Sequence, residues 1–322
     1  MLQIKRYTAK NIDDSIQLLH DLYLEQLEHY PLFLSFTLAK EQLKIRLENL
    51  SKHSKYGYAL YDDDLFIGFI IGHVIPSLWG KYDGFFSPLH GNAIKQKYRK
   101  RGYQYLYQHI SDELVSNNIL SHAITLYTND DVSMNTWFHL GFGLRLIDSI
   151  KPIDLTSQST LPNNFQIQRV TQENFKDILP LHKNLRFYFE KAPLFMPQSE
   201  EDEAKEIKDF INQENQYMYA LCQQGKAVAL MKLKELGENY LTQDKNAIHI
   251  CGLYVDEHLQ GQGIASAFLY EIETIFHQKG YTLLGVDFES FNVKGANFWH
   301  KYFTPYTYTL TRRIDENILK RN

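Results

Sequence analysis

A chain of 322 residues is longer than one hydrophobic core usually supports, which predicts two domains of roughly 150 residues each. Its 44% hydrophobic and 22% charged residues are the balance of an ordinary globular protein. A net charge of −4 gives no basic footprint for nucleic acid or an anionic membrane, so neither partner is expected. The two cysteines, Cys222 and Cys251, imply no disulfide framework and fit a reducing compartment. The apolar run from Leu65 to Ile75 is too short to span a bilayer, and Met1 to Arg6 lacks an apolar signal stretch. A cytoplasmic protein is expected.

The chain repeats itself. Gln3-Ile4-Lys5-Arg6 returns as Gln166-Ile167-Gln168-Arg169, and Glu28-His29-Tyr30-Pro31-Leu32-Phe33 as Glu190-Lys191-Ala192-Pro193-Leu194-Phe195. Tyr56-Gly57-Tyr58-Ala59-Leu60 returns as Tyr217-Met218-Tyr219-Ala220-Leu221. Three matches in one order at nearly constant spacing predict a duplication. The copies are expected at 1–150 and 165–322, joined by an exposed linker over 151–164 that holds Pro152, Pro162 and a Ser/Thr/Gln cluster.

Within the second copy, 166–170 alternates as a strand. Thr171 is a plausible N-cap for a helix with apolar spacing through Phe175, Ile178, Leu179 and Leu185. The acidic run 200–206 opens a second helix ending near Ile211, and its charges read as a solvated first turn. Strands are predicted at 217–222 and 227–235, paired across Gln223-Gln224-Gly225-Lys226. A mostly apolar strand at 248–255 feeds a glycine-rich turn, a helix follows over 264–278, then a strand at 283–288. A last helix covers 293–301, before a final strand at 307–313.

The chemistry sits where the fourth of these strands ends. In Leu253-Tyr254-Val255-Asp256-Glu257-His258-Leu259-Gln260-Gly261-Gln262-Gly263-Ile264-Ala265 a strand stops and a helix opens on glycines. Backbone N–H groups at such a start have no intrahelical partner, and a pyrophosphate satisfies them. A dinucleotide fingerprint would need a third glycine where Ser266 stands, and a P-loop would need Gly-Lys-Ser/Thr. Neither is present.

Gln260-x-x-Gly263-x-Ala265 resembles the acetyl-CoA pyrophosphate motif of the GNAT superfamily of N-acetyltransferases. Asn292-Val293-Lys294-Gly295-Ala296-Asn297-Phe298-Trp299-His300-Lys301-Tyr302-Phe303 is similar to that family's final helix. The resemblance implies an α/β (α+β) chain of two tandem GNAT folds, each a mixed, mostly antiparallel twisted sheet flanked by helices. It implies acetyl-CoA as co-substrate, no metal, and acetyl transfer to a primary amine of a small molecule or amino acid. The first copy carries the motif in eroded form, as Arg99-Lys100-Arg101-Gly102-Tyr103-Gln104. Gln104 and Lys100 stand there where Ala265 and Gly261 stand in the second, so one cofactor site per chain is expected, in the second copy.

Carried over by position, Leu253, Tyr254 and Val255 hold the pantetheine arm, Gln260, Gly261, Gln262, Gly263, Ile264 and Ala265 the pyrophosphate, and Asn292 contacts the pantetheine. The family's usual position for a general base is His249, whose imidazole titrates near neutral pH. Glu289 and Asp287 are the alternatives. The family's usual acid is a tyrosine, but Trp299 occupies that place, which leaves Tyr302 as the fallback or no acid at all. Tyr188, Glu190 and Phe195 are expected at the acceptor, with Glu190 holding an ammonium group. Two other readings stand beside this one. The first is a module that senses acetyl-CoA without consuming it. The second is a Fem-type aminoacyl-tRNA-dependent transferase, against which the intact phosphate loop and the acidic balance argue. A monomer and a homodimer fit the sequence equally.

Overall fold

Hydrophobic alternation and helical spacing place the elements where the sequence predicts most of them. The computed structural model describes all residues except 31–35, 157–160, 199–201 and 322. Pro31, Leu32 and Phe33 of the repeat, part of the linker cluster, and Glu200 and Glu201 therefore lie outside the described residues. The chain divides into two compact units: Met1–Asp148 with Asn239–Leu241 and Pro305–Asn322, and Ser149–Glu238 with Thr242–Thr304.

Unit 1 takes its elements in chain order from β1 (Leu2–Arg6), α1 (Ile12–Leu27) and α2 (Phe36–His53). There follow β2 (Tyr56–Asp62), β3 (Leu65–Ile75), β4 (Gly84–Ser87), β5 (Asn92–Ile94), α3 (Arg99–Ser116), β6 (Ser121–Tyr127), α4 (Asp131–His139) and β7 (Gly143–Pro152). The end of β7, from Ser149, belongs to unit 2. Neighbours β1, β2, β3 and β4 run antiparallel, and β6 joins β4 in parallel. Tyr103, Leu106, Ile110 and Leu114 of α3 pack with Trp137 of α4 on Leu60, Ile67, Ile70 and Ile124. That contiguous apolar cluster is the unit's core.

Unit 2 continues with β8 (Phe165–Arg169), α5 (Leu179–Glu190), α6 (Glu203–Ile211), β9 (Gln216–Gln223), β10 (Lys226–Lys234) and β11 (Ala247–Val255). After these come α7 (Ile264–Gln278), β12 (Leu283–Glu289) and α8 (Val293–Trp299), and then β13 (Thr304–Arg313), which from Pro305 belongs to unit 1. Its strand order is β12-β11-β10-β9-β8, antiparallel except for the parallel pair β11 and β12. The hairpin between β9 and β10 turns on Gln224 and Gly225, both at positive φ, which matches the right-handed strand twist. Ile178 and Leu181 face Ile207, Met218, Ala220 and Leu230 across a core covered by α5 and α6. Thr171 is not an α-helical cap. It leads into a 3-10 turn, Phe175–Ile178, and α5 starts only at Leu179, with Pro180 in its first turn.

The units do not follow the expected segments 1–150 and 165–322. The last strand, expected in the second copy, runs antiparallel to β6 from Thr307 beside Tyr127 to Arg313 beside Ser121. Leu310 enters the core of unit 1. Tyr240 reaches the same unit, its hydroxyl 2.5 Å from that of Tyr127, and Asn239 donates to the Tyr306 hydroxyl at 3.0 Å. The physical reason is the edge of β6, which is buried and needs a ladder partner. The start of the expected linker is also packed, not free: Ile153 N–H donates to Thr282 O at 2.9 Å, and Lys151 pairs with the buried Glu273 at 2.6 Å. Among the described residues no helix is long and apolar enough to cross a membrane.

A chain ending at Thr304 should therefore lose protection in a region far away in sequence. We expect the β6 amides at 121–127 to exchange with solvent as in an unfolded segment, and Leu310→Ala in the full chain to cost about 2–5 kcal/mol. Native exchange protection of β6 in the truncated chain would contradict this assignment of β13.

Candidate functional site

The site begins with a fault in a ladder. β10 pairs Lys232 with Gly252 and then Leu233 with Ile250, so Cys251 is an extra residue, a bulge on β11. The parallel ladder between β11 and β12 stops at Ile250 beside Val286. Both strands continue, β11 to Val255 and β12 to Glu289. The strands part there, and the backbone of 251–255 on that side is left without a β12 partner. It opens into a cleft of about 1290 Å³, lined among others by Leu253, Tyr254, Val255, Val286, Phe288 and Glu289.

Beyond Val255 the chain is tied back on itself. The Asp256 carboxylate accepts from His258 N–H at 3.2 Å, and a 3-10 turn follows over Glu257–Leu259. Gln260 then donates from its side chain to Val255 O at 3.0 Å, while its own Oε1 accepts from Lys294 Nζ at 3.4 Å. Gly261 and Gly263 hold φ of 77° and 81°. A side chain at either position would meet no atom within 4 Å, so the left-handed backbone, not crowding, calls for glycine. Gly263 caps α7 and offers no side chain to its first turn. The N–H groups of Ile264, Ala265 and Ser266 are left to an outside acceptor, and all three residues line the cleft. Such a helix start is an anion cradle.

At the other edge Asn292 caps α8, its Oδ1 accepting from Gly295 N–H at 3.1 Å and from the Tyr188 hydroxyl at 2.5 Å. Two residues expected in different roles thus meet at one oxygen, and both line the cleft. Lys294 and Lys301 line it as well, a pair of cations that sequence reading passed over. Gln262 does not line it. Its side chain turns to donate to His258 O at 2.6 Å.

The expected catalytic residues fare differently. His249 is not part of the cleft wall. Its ring is buried where a side chain at Gly237 or Gly285 would collide with it, and Nε2 lies 3.1 Å from Thr242 O. Burial pushes its pKa down to about 4, so the imidazole is neutral at pH 7. The base expected there is corrected: His249 is a packing residue. Glu289 and Asp287 do line the cleft, at the parted end of β12. Tyr302 stands outside the lining, its hydroxyl 2.6 Å from Ser266 Oγ, beside the start of α7. Trp299 faces the cleft in the position it was expected to hold. Glu190 and Phe195 are both absent from the wall, and Phe195 is 71% exposed. Helix α5 presents His182, Leu185, Arg186 and Phe189 instead, joined by Glu206 of α6 and Lys232 of β10. Their signal in the sequence was the apolar spacing of α5, read only as core.

Unit 1 arranges the corresponding segments differently. There α3 begins at Arg99 directly after a 3-10 turn, Gln96–Tyr98, so Gly102, Tyr103 and Gln104 lie inside the helix. Their N–H groups are spent on helical bonds. Gln104 and Lys100 are exposed and crowd nothing, which corrects the expected steric reason. Beyond Ser87 the gap beside β6 is filled by Asn92, whose Nδ2 donates to Pro88 O at 3.2 Å and Thr125 O at 3.3 Å. Arg99 is buried against Glu25 at 2.5 Å and Asp130 at 3.4 Å.

Residues 182–303 match the Acetyltransferase (GNAT) family model. The matched stretch runs from α5 to the end of α8, and so holds the slot, the glycine loop and Asn292. The fold is GNAT-like over the rest of the chain too. A GCN5-related N-acetyltransferase from Sphaerobacter thermophilus aligns at a TM-score of 0.63 and 10% identity, over 97% of this chain and 95% of its own. The GCN5-related glucosamine N-acetyltransferase region of a fungal multi-domain beta-N-acetylglucosaminidase aligns at 0.58 and 12% identity. It covers 97% of this chain, which spans only 38% of that protein. No curated protein matches the sequence significantly.

The placement of His249 gives a prediction of opposite sense to a catalytic one. Its folded pKa near 4 lies below the usual value near 6.5, so the unfolded chain binds the proton first. That contribution to stability is complete above about pH 6.5 and is lost as pH falls toward 4. His249→Ala should lower the melting temperature at pH 7 and weaken the fall in melting temperature between pH 7 and 4.5. Any acyl-transfer activity should keep its pH profile, and a changed profile would return His249 to the site.

Proposed function

We propose that the chain is an acetyl-CoA-dependent N-acetyltransferase with GNAT folds in tandem and one working site, in unit 2. The observation that carries this reading is the meeting of two features in one cleft: parted strands at Ile250 and Val286, and an uncapped helix start at Gly263. An extended amide-bearing arm ending in a pyrophosphate needs both. Acetyl-CoA supplies the activated acetyl thioester. The chain supplies the rest.

The N–H groups of Ile264, Ala265 and Ser266 hold the pyrophosphate, and Lys294 and Lys301 add positive charge to the same cleft. The free backbone at Leu253, Tyr254 and Val255 takes the amide arm as an added strand would. Asn292, steadied by Tyr188, contacts that arm. The acceptor is a small-molecule amine. Glu289 replaces His249 as the group that takes its proton, since it lines the cleft where the strands part. The N–C bond then forms as the C–S bond breaks, and the thiolate leaves. Trp299 has no hydroxyl to donate and Tyr302 faces Ser266, so the thiolate takes its proton from water, which a thiol pKa near 8.5 permits. The same two residues favour a second reading, in which the cofactor is bound and not consumed. Turnover excludes it.

Calorimetry of the wild-type chain should give one acetyl-CoA per chain, because in unit 1 the helix begins at Arg99, ahead of the motif glycine Gly102, and Asn92 bonds to Pro88 O and Thr125 O beside β6. Gly263→Glu should abolish that binding through strain at φ 81° and like-charge conflict with the pyrophosphate. Two equivalent sites, or unchanged affinity in the variant, would sink the assignment.

Glu289→Gln is expected to lower kcat at neutral pH by about tenfold or more and to flatten the acidic limb of the pH profile. Acetyl-CoA affinity should stay close to wild type. Thiol release across pH 5–9 measures both, and a retained limb would move the base to Asp287.

A further inference from the structure

Under the proposed function the acetyl group has a definite place along β11. The anion cradle at the start of α7 follows the end of that strand, and Val255, Tyr254 and Leu253 would take the arm. An arm held in that order carries its thioester past Leu253, beside Gly252 and the bulge at Cys251. Lys232 of β10 is the ladder partner of Gly252. A Cβ at Gly252 would come 3.5 Å from Lys232 Cδ and 3.7 Å from its Cβ, so the lysine stem lies along the space the glycine leaves open. Lys232 lines the cleft, and only 14% of its side chain is exposed.

Lys294, by contrast, donates to Gln260 Oε1 at 3.4 Å, in the loop beyond the other end of the arm. The Lys232 ammonium is 3.5 Å from Glu206 Oε1 and 4.7 Å over the Phe210 ring. A closed charge-assisted hydrogen bond measures about 2.7–2.9 Å, so Glu206 stands near the ammonium without locking it. The buried His182 places Nε2 3.5 Å from the same carboxylate oxygen, and both His182 and Glu206 line the cleft. Cys251 is a second nucleophile at this end. Burial pushes its thiol up to about 11, so it stays protonated and unreactive at neutral pH.

We propose that Lys232 is a self-acetylation site, fed by the acetyl-CoA bound in the same cleft. This rests on the acetyltransferase reading and adds a modification site to it. The Lys232 ammonium gives one proton to Glu206, and the free amine attacks the thioester carbonyl. The N–C bond forms as the C–S bond breaks. The new amide nitrogen loses its second proton to water, the CoA thiolate takes one from water, and Glu206 returns its own to solvent. The net products are acetyl-lysine, CoA and one proton.

The test is peptide mass mapping of the full chain after incubation with acetyl-CoA and no added amine. An acetyl group should appear at Lys232 about tenfold or more faster than at Lys226, an exposed lysine on the same strand. Gly263→Glu, which removes the cofactor, should bring Lys232 down to the Lys226 rate. Glu206→Gln, checked by melting temperature and acetyl-CoA affinity, should slow labelling of Lys232 about tenfold or more. The label should survive neutral hydroxylamine, which cleaves a thioester and spares an amide. No label at Lys232, a rate equal to that of Lys226, or a rate untouched by either variant overturns the inference and leaves the acetyltransferase reading standing. Loss of the label to hydroxylamine moves it to Cys251 and overturns the inference as well. Failure to bind acetyl-CoA overturns both readings.

Discussion

Everything in unit 2 turns on a backbone that loses its partner. A buried strand with unpaired N–H and C=O groups costs free energy unless something pairs with it. The bulge at Cys251 and the end of the ladder at Ile250 create that condition in the middle of a sheet. Surrounding elements do not heal it. Gln260 ties the loop to Val255, Gly261 and Gly263 carry the positive φ, and α7 starts without a cap on the same side. The result is a row of unsatisfied donors and acceptors that ends in a helix start, a surface shaped for an extended ligand with an anionic end.

Unit 1 shows how small a change closes such a place. Its equivalent helix starts earlier, at Arg99, so the donors that would face a ligand are bonded within the helix. Its equivalent strand breaks into a 3-10 turn, Leu89–Gly91, and Asn92 then bonds across the gap to Pro88 and Thr125. Tyr103 seals the arrangement by donating to Asn92 Oδ1 at 2.9 Å. No residue needs to invade the pocket. Backbone groups that find internal partners leave nothing for a ligand to satisfy.

The glycine loop and the helix after it were legible because their determinants are local: positive φ at Gly261 and Gly263, and apolar spacing over α7. The hairpin at Gln224 and Gly225 was legible for the same reason. The expectation for His249 failed because position along a strand does not say which neighbours shape its space. Gly237 and Gly285 make room for the ring inside the fold, and neither lies near His249 in sequence. The exchange of β13 into unit 1 was hidden for a related reason. A strand's alternation says that it needs a ladder, and says nothing of which edge supplies it. Glu190 and Phe195 were misplaced by reading chain proximity as spatial proximity, whereas α5 turns His182, Arg186 and Phe189 inward.

The aromatic positions after β12 bear on how a thiolate leaves. Trp299 is nearly buried and packs at 4.8 Å from the Phe298 ring and 5.5 Å from Phe303. It lines the cleft at the position where the family resemblance would put a tyrosine. Tyr302 keeps a hydroxyl, but it hydrogen-bonds with Ser266 Oγ at the start of α7. In the proposed mechanism the chemistry is divided by position: residues around α7 organise charge, the parted strands organise backbone, and the carboxylates of β12 move the proton. Under the proposed acetyl transfer, an acid here would have to displace a packed tryptophan, while a thiolate with a pKa near 8.5 is protonated by solvent without help at neutral pH.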